Sequence, residues 1–405
     1  MTDASGRDAP LSGRCIVLGV CGSIACYKAA DLASKLAQSG ALVDVILTDA
    51  AQQFISPLTF RSLTGRPVFS DMFDPQSPVA EEHVFLARSA DALLIAPASA
   101  TTLARLADGL ADDMLSLTAL ATVAPVVIAP AMDGQMWEHP ATKANVATLR
   151  QRGVRFVGPE EGRLASGHTG RGRLSDTGTI IGALRQALGA AGDLAGRRIV
   201  VSAGGTQEAI DPVRYIGNRS SGKMGFAIAE TARDRGAGVV LVAAPGTLAT
   251  PYGVERVDVT TTAQMGAAVA EAVRGCDALI MAAAPADFRV LKPNEQKIKR
   301  GAEGITVELA PNEDIIASAQ GAFVKVGFAA ETERLLESAR AKIGAKGLDL
   351  IVANDVTAPG AGFATDTNAV TIVGADGRTE QLPVLSKYEV GHRILDRVVE
   401  LLART

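Results

Sequence analysis

The feature that most constrains the fold is an internal repeat. Residues 13–23, GRCIVLGVCGS, and residues 196–206, GRRIVVSAGGT, each give an apolar strand that runs into a glycine-containing turn. A second matching pair, DALLIAPASA at 91–100 and DALIMAAAPA at 277–286, follows each opening at nearly the same distance. A strand, a glycine turn and a helical pattern are typical of doubly wound folds, which bind ligands at the carboxyl ends of parallel strands. The repeat therefore predicts an α/β chain of two doubly wound, Rossmann-like domains.

Length and composition agree with two domains. The 405 residues exceed one ordinary core, and 41 glycines with only 4% aromatics suit many strand-to-helix turns. We expect a disordered polar tail at 1–13, a first domain at 14–190 and a second at 191–405, joined in ALGAAGDLAG at 187–196. Strands are expected at 14–20, 42–48, 92–97, 125–129 and 154–157, then at 197–202, 238–243, 278–282, 323–327 and 349–353. A hairpin over 368–382, turning at Asp376-Gly377, and a C-terminal helix should close the second domain.

Charge and hydropathy exclude several classes of protein. A net charge of −4 and a pI near 5.7 disfavour a nucleic-acid or membrane-surface binder. The apolar runs are too short for a transmembrane helix, and the polar start lacks a signal-peptide core, so we expect a cytoplasmic protein. The four cysteines form no paired C-x-x-C spacing, which predicts buried thiols and neither a disulfide framework nor a zinc site. They are Cys15, Cys21, Cys26 and Cys276.

Two hydroxyl-rich turns suggest a phosphate pocket in the first half. The opening turn, Gly19-x-x-Gly22-Ser23, is not the G-x-G-x-x-G of dinucleotide binding and fits a mononucleotide phosphate better. Ser23 would lie at a helix N-terminus, where unpaired N–H groups and the helix dipole favour an anion. PASATT at 97–102 gives a second turn of this kind. On these residues alone, a plain strand-to-helix connection is equally typical.

The segment GNRSSGKM, 217–224, has the spacing of a phosphate-binding loop but ends in the wrong residue. Such a loop needs Ser or Thr after the lysine to hold Mg²⁺, and Met224 takes that place. The residues leave open a damaged nucleotide site, a coincidence or a different chemistry. A P-loop NTPase is disfavoured because the sequence also lacks a Walker B partner.

Four segments together resemble a known family. GSIACYK at 22–28, the histidine in EEHVFLARSAD at 81–91, PASATTLARLADGLADD at 97–113 and PAMDGQMW at 130–137 are similar to flavin-dependent cysteine decarboxylases. With its second half, the chain resembles the bifunctional phosphopantothenoylcysteine decarboxylase/phosphopantothenate–cysteine ligases of coenzyme A biosynthesis. The resemblance covers nearly the whole chain after the polar tail. It implies a flavodoxin-like, FMN-dependent decarboxylase domain at 14–190 and a CTP-dependent ligase domain at 191–405.

The resemblance also assigns roles in the first domain. His83 matches the family's active-site histidine, and bound FMN would oxidise the cysteine moiety of the substrate so that loss of CO₂ leaves a delocalised ene-thiolate. The implied FMN contacts are Gly22, Ser23, Thr48, Ser99 and Ser116. The implied substrate contacts are Asp112, Met132, Asp133 and Met136.

Three positions depart from the family pattern. Asp112 and Asp133 stand where asparagine is usual. Because two carboxylates that face each other repel, Asp112 must either be neutral beside the substrate carboxylate or bond differently. Ser166, in a glycine-rich flap at 162–173, replaces a cysteine that protonates the product. A hydroxyl is a far weaker acid than a thiol of pKa about 8.5. Either Ser166 relays a proton or decarboxylation is impaired, and the intact His83 and PAMDGQMW favour retained activity.

In the second domain the resemblance implies a reaction in two steps. CTP, with Mg²⁺, first converts the phosphopantothenate carboxylate to an acyl-cytidylate and diphosphate is released. Cysteine then attacks this intermediate. Asn218 would hold this intermediate, and Lys297 would reach the triphosphate. A strand would place Lys297 and Lys299 on one face, although KIKR is also typical of a solvated basic edge strand. Lys342 and Lys346 share a helix face, as solvent lysines also do. The implied CTP contacts are Ala282, Ala283, Asp287, Lys297, Glu313, Asp314, Ile315, Ile316, Phe328, Lys342 and Lys346.

One alternative belongs to a different class: an FMN-binding regulatory or electron-transfer flavoprotein with an inactive ligase half. PAMDGQMW and the flap argue against it, because an electron carrier needs no substrate clamp. The resemblance further implies a large homo-oligomer built from trimers of the flavin domain and dimers of the ligase domain. The Mg²⁺ ligands stay unassigned.

Overall fold

A computed structural model describes residues 10–73, 81–300, 304–331, 335–355 and 365–404. The chain divides into two compact units between Leu188 and Gly189, two residues before the predicted boundary. Residues 1–9 of the predicted tail lie outside the described residues. Residues 10–13, which the prediction included in the tail, form a turn in which Leu11 is buried.

The first unit is built on a six-stranded parallel sheet and one hairpin. Its strands are β1 Cys15–Val20, β2 Leu42–Leu47, β3 Val68–Phe69, β4 Ala92–Ala98, β5 Val126–Pro130, β6 Arg155–Phe156, and the antiparallel pair β7 Glu160–Arg163 and β8 Thr169–Arg173. Its helices are α1 Cys26–Gln38, α2 Asp49–Gln52, α3 Pro57–Thr64, α4 Glu82–Ser89, α5 Ala100–Asp108, α6 Met114–Ala121, α7 Gly134–Glu138, α8 Pro140–Gln151 and α9 Thr177–Leu188.

The strand order of this sheet is β3-β2-β1-β4-β5-β6. Without the two-residue edge strand β3, the order is that of flavodoxin. Helix α1 contacts α3 and α9, while α5 contacts α6 and α8, so the helices form two separate groups, as in a doubly wound fold. All seven residues of β4 are buried, which explains why this central strand reads as a continuous apolar run.

The second unit has an eight-stranded sheet and three small two-stranded antiparallel sheets. Its strands are β9 Arg198–Ala203, β10 Glu208–Ala209, β11 Tyr215–Ile216, β12 Gly238–Ala243, β13 Glu255–Asp258, β14 Ala278–Met281, β15 Phe288–Val290, β16 Leu309–Pro311, β17 Val324–Glu331, β18 Leu350–Asp355, β19 Thr367–Asn368, β20 Val370–Gly374, β21 Thr379–Gln381 and β22 Leu385–Ser386. Its helices are α10 Lys223–Asp234, α11 Thr262–Ala272, α12 Ile315–Ser318, α13 Leu335–Lys346 and α14 Lys387–Leu402.

The large sheet of this unit runs β13-β12-β9-β14-β17-β18-β20-β21. The first six strands are parallel in the Rossmann order, and the last two pairings are antiparallel. Alternate residues of β9 enter different cores: Ile199 and Val201 pack in one, and Val200 packs in the other. A sheet buried on both faces has this alternation.

The predicted fold class is confirmed, and all ten predicted strands are present with ends shifted by a few residues. The closing hairpin is β20–β21, and Gly377 adopts the left-handed φ of 82° that its turn requires. The predicted strand around Lys297 and Lys299 is wrong, because residues 292–300 form an irregular loop. Cys15 also corrects the expectation of four buried thiols, since it is only half-buried; the other three are buried and all four are free. Within the described ranges, no helix has both the length and the apolar character that crossing a bilayer requires.

Candidate active sites

The first unit has a cavity of about 630 Å³ at the carboxyl edge of its sheet. It brings together seven predicted site residues: Gly22, Ser23, Ser99, Met132, Asp133, Met136 and Ser166. They come from the turns after β1, β4 and β5 and from the connection between β7 and β8. The flap predicted over 162–173 is therefore the β7–β8 hairpin, and its residues form one wall of the cavity.

One end of this cavity suits an anion. The Ser23 hydroxyl accepts from Ala25 N at 3.2 Å, and no side chain caps the N-terminus of α1. Ser99 caps α5 by accepting from Thr102 N at 3.2 Å. Two hydroxyl groups next to helix N-termini offer hydrogen-bond donors and a positive dipole to a phosphate group.

Asp133 and Ser166 connect the flap to the rest of the cavity wall. The Ser166 hydroxyl donates to Asp133 Oδ2 at 2.8 Å, and Asp133 Oδ1 accepts from Gln135 N at 3.0 Å as the cap of α7. These bonds, from Gln135 first and then Ser166, hold the pKa of Asp133 below its usual range. A backbone bond from Met132 N to Gly172 O, 3.0 Å long, joins the same two segments.

Four predicted residues of the first domain do not line this cavity. Thr48 caps α2 by accepting from Ala51 N, and the buried Ser116 donates to Asp113 Oδ1 at 2.7 Å in the capping box of α6. Asp112 Oδ1 pairs with Arg105 Nε at 3.0 Å. His83 lies in the first turn of α4. Their roles toward FMN and substrate stay predictions.

Sequence reasoning missed three cationic residues of the cavity, Lys28, Arg163 and Arg173. Lys28 Nζ donates to Leu174 O at 3.4 Å, and burial, followed by the charge of Arg173, lowers the pKa of Lys28. Lys28 ends the GSIACYK motif and so was within reach of the motif argument. Arg163 and Arg173 lie in the β7–β8 hairpin, a segment that the sequence argument interpreted from its glycines.

The second unit has a cavity of about 300 Å³ beside the carboxyl ends of β14 and β17. It collects nine of the eleven residues that the resemblance placed on CTP: Ala283, Asp287, Glu313, Asp314, Ile315, Ile316, Phe328, Lys342 and Lys346. The two lysines come from α13, Glu313 and Asp314 from the segment that leads into α12, and Asp287 from the connection between β14 and β15. Four separate segments of the chain thus converge on one site.

Two polar residues shape this cavity. Asp314 caps α12 and its Oδ2 lies 2.8 Å from Lys346 Nζ. Burial alone would raise the pKa of Asp314, but the hydrogen bonds from Lys346 and Ala317 N leave that pKa below its usual range. Asn312, which the sequence argument passed over, donates from Nδ2 to Ala286 O at 2.9 Å and from its backbone N to Asp287 O at 2.8 Å. It holds the turn that carries Asp287.

Asn218 lies at the edge of the same site. Its side-chain Nδ2 donates to the carbonyl of Pro285, a residue of the cavity wall, at 2.8 Å. The loop fits closely against the turn after β9, because a Cβ on Gly205 would come 2.4 Å from Asn218 O. Lys223, the lysine of GNRSSGKM, pairs with Asp366 at 2.6 Å.

Two predicted CTP contacts are not part of this cavity wall. Ala282 packs against the hydrophobic core, and Lys297 lies in the irregular loop after β15. In the described ranges, no group of three or more His, Cys, Asp or Glu side chains is placed to hold a metal ion.

Comparison with known proteins agrees with this division. The model of the Flavoprotein family matches residues 6–189, and that of the DNA/pantothenate metabolism flavoprotein C-terminal domain matches residues 194–402. The coenzyme A biosynthesis bifunctional protein CoaBC of Bacillus subtilis (strain 168) is 44% identical over 401 residues, or 98% of this chain and 99% of the relative. CoaBC of Escherichia coli (strain K12) is 43% identical over 398 residues, or 96% and 97%. A crystal structure of a CoaBC C-terminal domain, 36% identical, covers 53% of this chain and 99% of its own at a TM-score of 0.46.

Two doubly wound units, each with a cavity at the carboxyl edge of its sheet, define a two-domain α/β enzyme whose first half is a flavoprotein. The chain belongs to the family of coenzyme A biosynthesis bifunctional proteins. The family predicted from the motifs is thereby confirmed. The alternative of an electron-transfer flavoprotein with an inactive second half is not favoured.

Proposed function

We propose that this enzyme converts 4′-phosphopantothenate and L-cysteine to 4′-phosphopantetheine in two consecutive steps. The second unit ligates the two substrates at the expense of CTP, and the first unit decarboxylates the product, 4′-phosphopantothenoylcysteine. The observation that carries the proposal is the cavity of the second unit, which gathers nine residues predicted for CTP from four separate segments. Family membership along 98% of the chain supports both steps.

In the ligation step, the phosphopantothenate carboxylate attacks the α-phosphorus of CTP and diphosphate leaves. Lys342 and Lys346, which both line the cavity, offset the negative charge that develops on the leaving group. The amide of Asn218, already turned toward the Pro285 carbonyl at the cavity edge, donates to the acyl oxygen of the cytidylate. The cysteine amine then attacks the acyl carbon, and CMP leaves.

Mg²⁺ would accompany the triphosphate. This ion usually takes one or two carboxylates and completes its shell with phosphate oxygens and water. Asp287 and Glu313 line the cavity and could supply those carboxylates.

In the decarboxylation step, the residues of the first cavity fit FMN. Ser23 and Ser99 suit its phosphate, while Ala131, Met132 and Leu174 offer an apolar wall to a flat ring. Bound FMN supplies a reversible two-electron oxidation of the substrate, without which the carbanion left by CO₂ has no stabilisation. Lys28, Arg163 and Arg173 give the same cavity positive charge for an anionic substrate, and the flap excludes water.

His83 is proposed as the base of this step, in an assembly of several chains. It does not line the cavity of a single described chain, so a neighbouring copy would bring it there. We propose trimers of the first unit and dimers of the second, in the cytoplasm.

One experiment tests both steps: the purified enzyme is mixed with phosphopantothenate, cysteine, CTP and Mg²⁺, and the products are identified by mass. Phosphopantetheine with CMP and diphosphate is the expected result. Accumulation of phosphopantothenoylcysteine would refute the second step alone. Nucleotide hydrolysis without phosphopantothenate would refute the ligase, and colourless protein that does not rebind FMN would refute the flavin site.

A further inference from the structure

A buried carboxylate, Asp211, contacts the loop that carries Lys297. Asp211 lies in the tight turn between β10 and β11, and its side chain is 0% exposed. Oδ1 accepts from the backbone N–H groups of Val213 and Arg214, both at 2.8 Å. Oδ2 accepts from Arg214 Nε at 3.0 Å and from Ile298 N at 3.1 Å. Arg214 Nη2 adds a further, short bond to the same oxygen.

The residue next to Lys297 is held at both of its backbone polar groups. Ile298 N donates to Asp211, and Ile298 O accepts from Arg214 Nη2 at 2.8 Å. One more bond joins the loop to this turn, from Asn294 N to Ile210 O at 2.9 Å. Residues 292–300 form no ladder of strand hydrogen bonds, so these bonds to the turn hold the loop in its place. They fix the backbone immediately after Lys297.

The same turn also leads to Asn218. Arg214 is followed by β11, Tyr215–Ile216, and Asn218 comes two residues after that strand, with its amide on Pro285 O. The turn is therefore linked both to Asn218, proposed to act on the acyl-cytidylate, and to Lys297, proposed to act on the triphosphate. A shift of the turn would move both.

The chemistry of the contact requires a carboxylate. Five N–H groups converge on two oxygens, and a buried ion of this kind is stable only when it is paired and fully hydrogen-bonded. An asparagine at position 211 would turn its NH₂ group, itself a hydrogen-bond donor, toward one of these sets of N–H donors. The Arg214 side chain, followed by the backbone N–H groups, holds the pKa of Asp211 far below its usual range, so the carboxylate stays charged at physiological pH.

Since the ligase reaction proposed above is its premise, we infer that Asp211 is a positioning residue for that reaction. Through Ile298 it holds Lys297 in place for the CTP triphosphate, and through Arg214 it fixes the approach to Asn218. Asp211 itself touches neither CTP nor the substrate.

The test is Asp211→Asn in the full chain, assayed as diphosphate release from CTP with phosphopantothenate and cysteine. A misplacement of about 1 Å can cost roughly a hundredfold in rate, so we expect kcat/KM for CTP to fall by about ten- to a hundredfold. Decarboxylation of added phosphopantothenoylcysteine should keep the wild-type rate. Lys297→Ala should cost much less in the Asp211→Asn background than in the wild type, because the lysine is already misplaced.

Asp277→Asn is the matched control. Asp277 likewise accepts from an arginine, Arg197 at 2.7 Å, and from a backbone N–H, that of Arg198 at 2.8 Å, but at the amino end of β14. The Asp277→Asn variant should keep a kcat/KM for CTP within about twofold of the wild type. If Asp211→Asn does not fold by circular dichroism, Ile298→Pro removes the loop's N–H donor while the buried Asp211 carboxylate keeps its bonds to Val213 and Arg214, and it should give the same selective loss.

The outcomes separate the inference from its premise. Wild-type kinetics in Asp211→Asn, or an undiminished Lys297→Ala effect in that background, would overturn the inference while the ligase function stands. A wild-type enzyme that releases no diphosphate from CTP in the presence of phosphopantothenate would overturn the ligase function first.

Discussion

The Ser166 hydroxyl donates to Asp133 Oδ2 at 2.8 Å, so two residues that depart from the family pattern are in direct contact. The carboxylate of Asp133, itself part of the cavity wall, accepts this hydrogen bond, so the hydroxyl hydrogen of Ser166 is already bonded within the protein. A serine held in this way is a poor proton donor to a bound product. The contact instead ties the β7–β8 flap to the N-terminus of α7.

Restoring a thiol at position 166 should speed the last proton transfer of decarboxylation. A thiol has a pKa of about 8.5 and can act as an acid near neutral pH, and a positioned general acid is worth about a hundredfold or more. We expect Ser166→Cys to raise the rate of phosphopantetheine release by about tenfold, below that limit because the flap contact with Asp133 is lost. The measurement is the ratio of phosphopantetheine to ene-thiol product by mass spectrometry. Ser166→Ala is the control, and equal rates in all three proteins would show that residue 166 takes no part in proton transfer.

The contact between the flap and α7 should weaken in acid and should not change with pH around neutrality. In the closed state of the flap, defined as the one in which Ser166 bonds to Asp133, the bonds from Gln135 N and Ser166 lower the pKa of Asp133, and the nearby His168 acts in the same direction. This state therefore favours the carboxylate. This contribution is fully present above the ordinary aspartate pKa of about 3.9 and is lost as pH falls through the lower pKa of the closed state. Hydrogen exchange of residues 162–173 should be constant between pH 5 and 8 and accelerate near pH 3, relative to the intrinsic rate. Asp133→Asn should lose this acid transition, and a transition near pH 6 in the wild type would contradict the assignment.

The repeat made the fold predictable, and in the structure it extends to individual contacts. Arg14 pairs with Asp91 at 2.8 Å at the start of β1, and Arg197 pairs with Asp277 at 2.7 Å at the start of β9. The strands register in the same way, with Ile16 opposite Ala92 and Ile199 opposite Ala278. Strands buried on both faces are apolar without interruption, so their positions can be read from local sequence.

The parts that sequence could not predict depend on distant partners. The alternation in Lys297-Ile298-Lys299 is typical of a strand, but the N–H of Ile298 bonds to the Asp211 side chain, a contact that no local pattern reveals. Thr48 and Ser116 show the same limit, because a hydroxyl near a helix start serves equally as a cap or as a ligand contact. Met132, Asp133 and Met136 of the continuous motif PAMDGQMW do line the cavity, and their roles toward the substrate stay predictions.

Removing either lysine of α13 should weaken CTP binding without affecting decarboxylation. Lys342 and Lys346 both line the second cavity, and a hydrogen bond to a charged group contributes about 1.5–3 kcal/mol. We expect Lys342→Ala to raise the KM for CTP by about tenfold, equivalent to about 1.4 kcal/mol. Lys346→Ala should also leave Asp314 without its ion pair at 2.8 Å, and so should cost more. Lys325→Ala, outside the cavity wall, is the control, and a KM unchanged in both α13 variants would exclude these lysines from the CTP site.

Asn218→Asp should separate formation of the acyl-cytidylate from its use. The neutral amide donates a hydrogen bond, whereas a carboxylate at the same position would repel the phosphate and the acyl oxygen and would face the carbonyl of Pro285 without a donor. Attack of the substrate on CTP depends on the cavity lysines and should continue, while attack by cysteine should slow by about a hundredfold, as when an oxyanion donor is lost. Quenched samples should contain accumulated acyl-cytidylate and a burst of diphosphate. Asn294→Asp, an exposed residue of the irregular loop, is the matched control. Product formation at the wild-type rate in Asn218→Asp would remove Asn218 from the reaction.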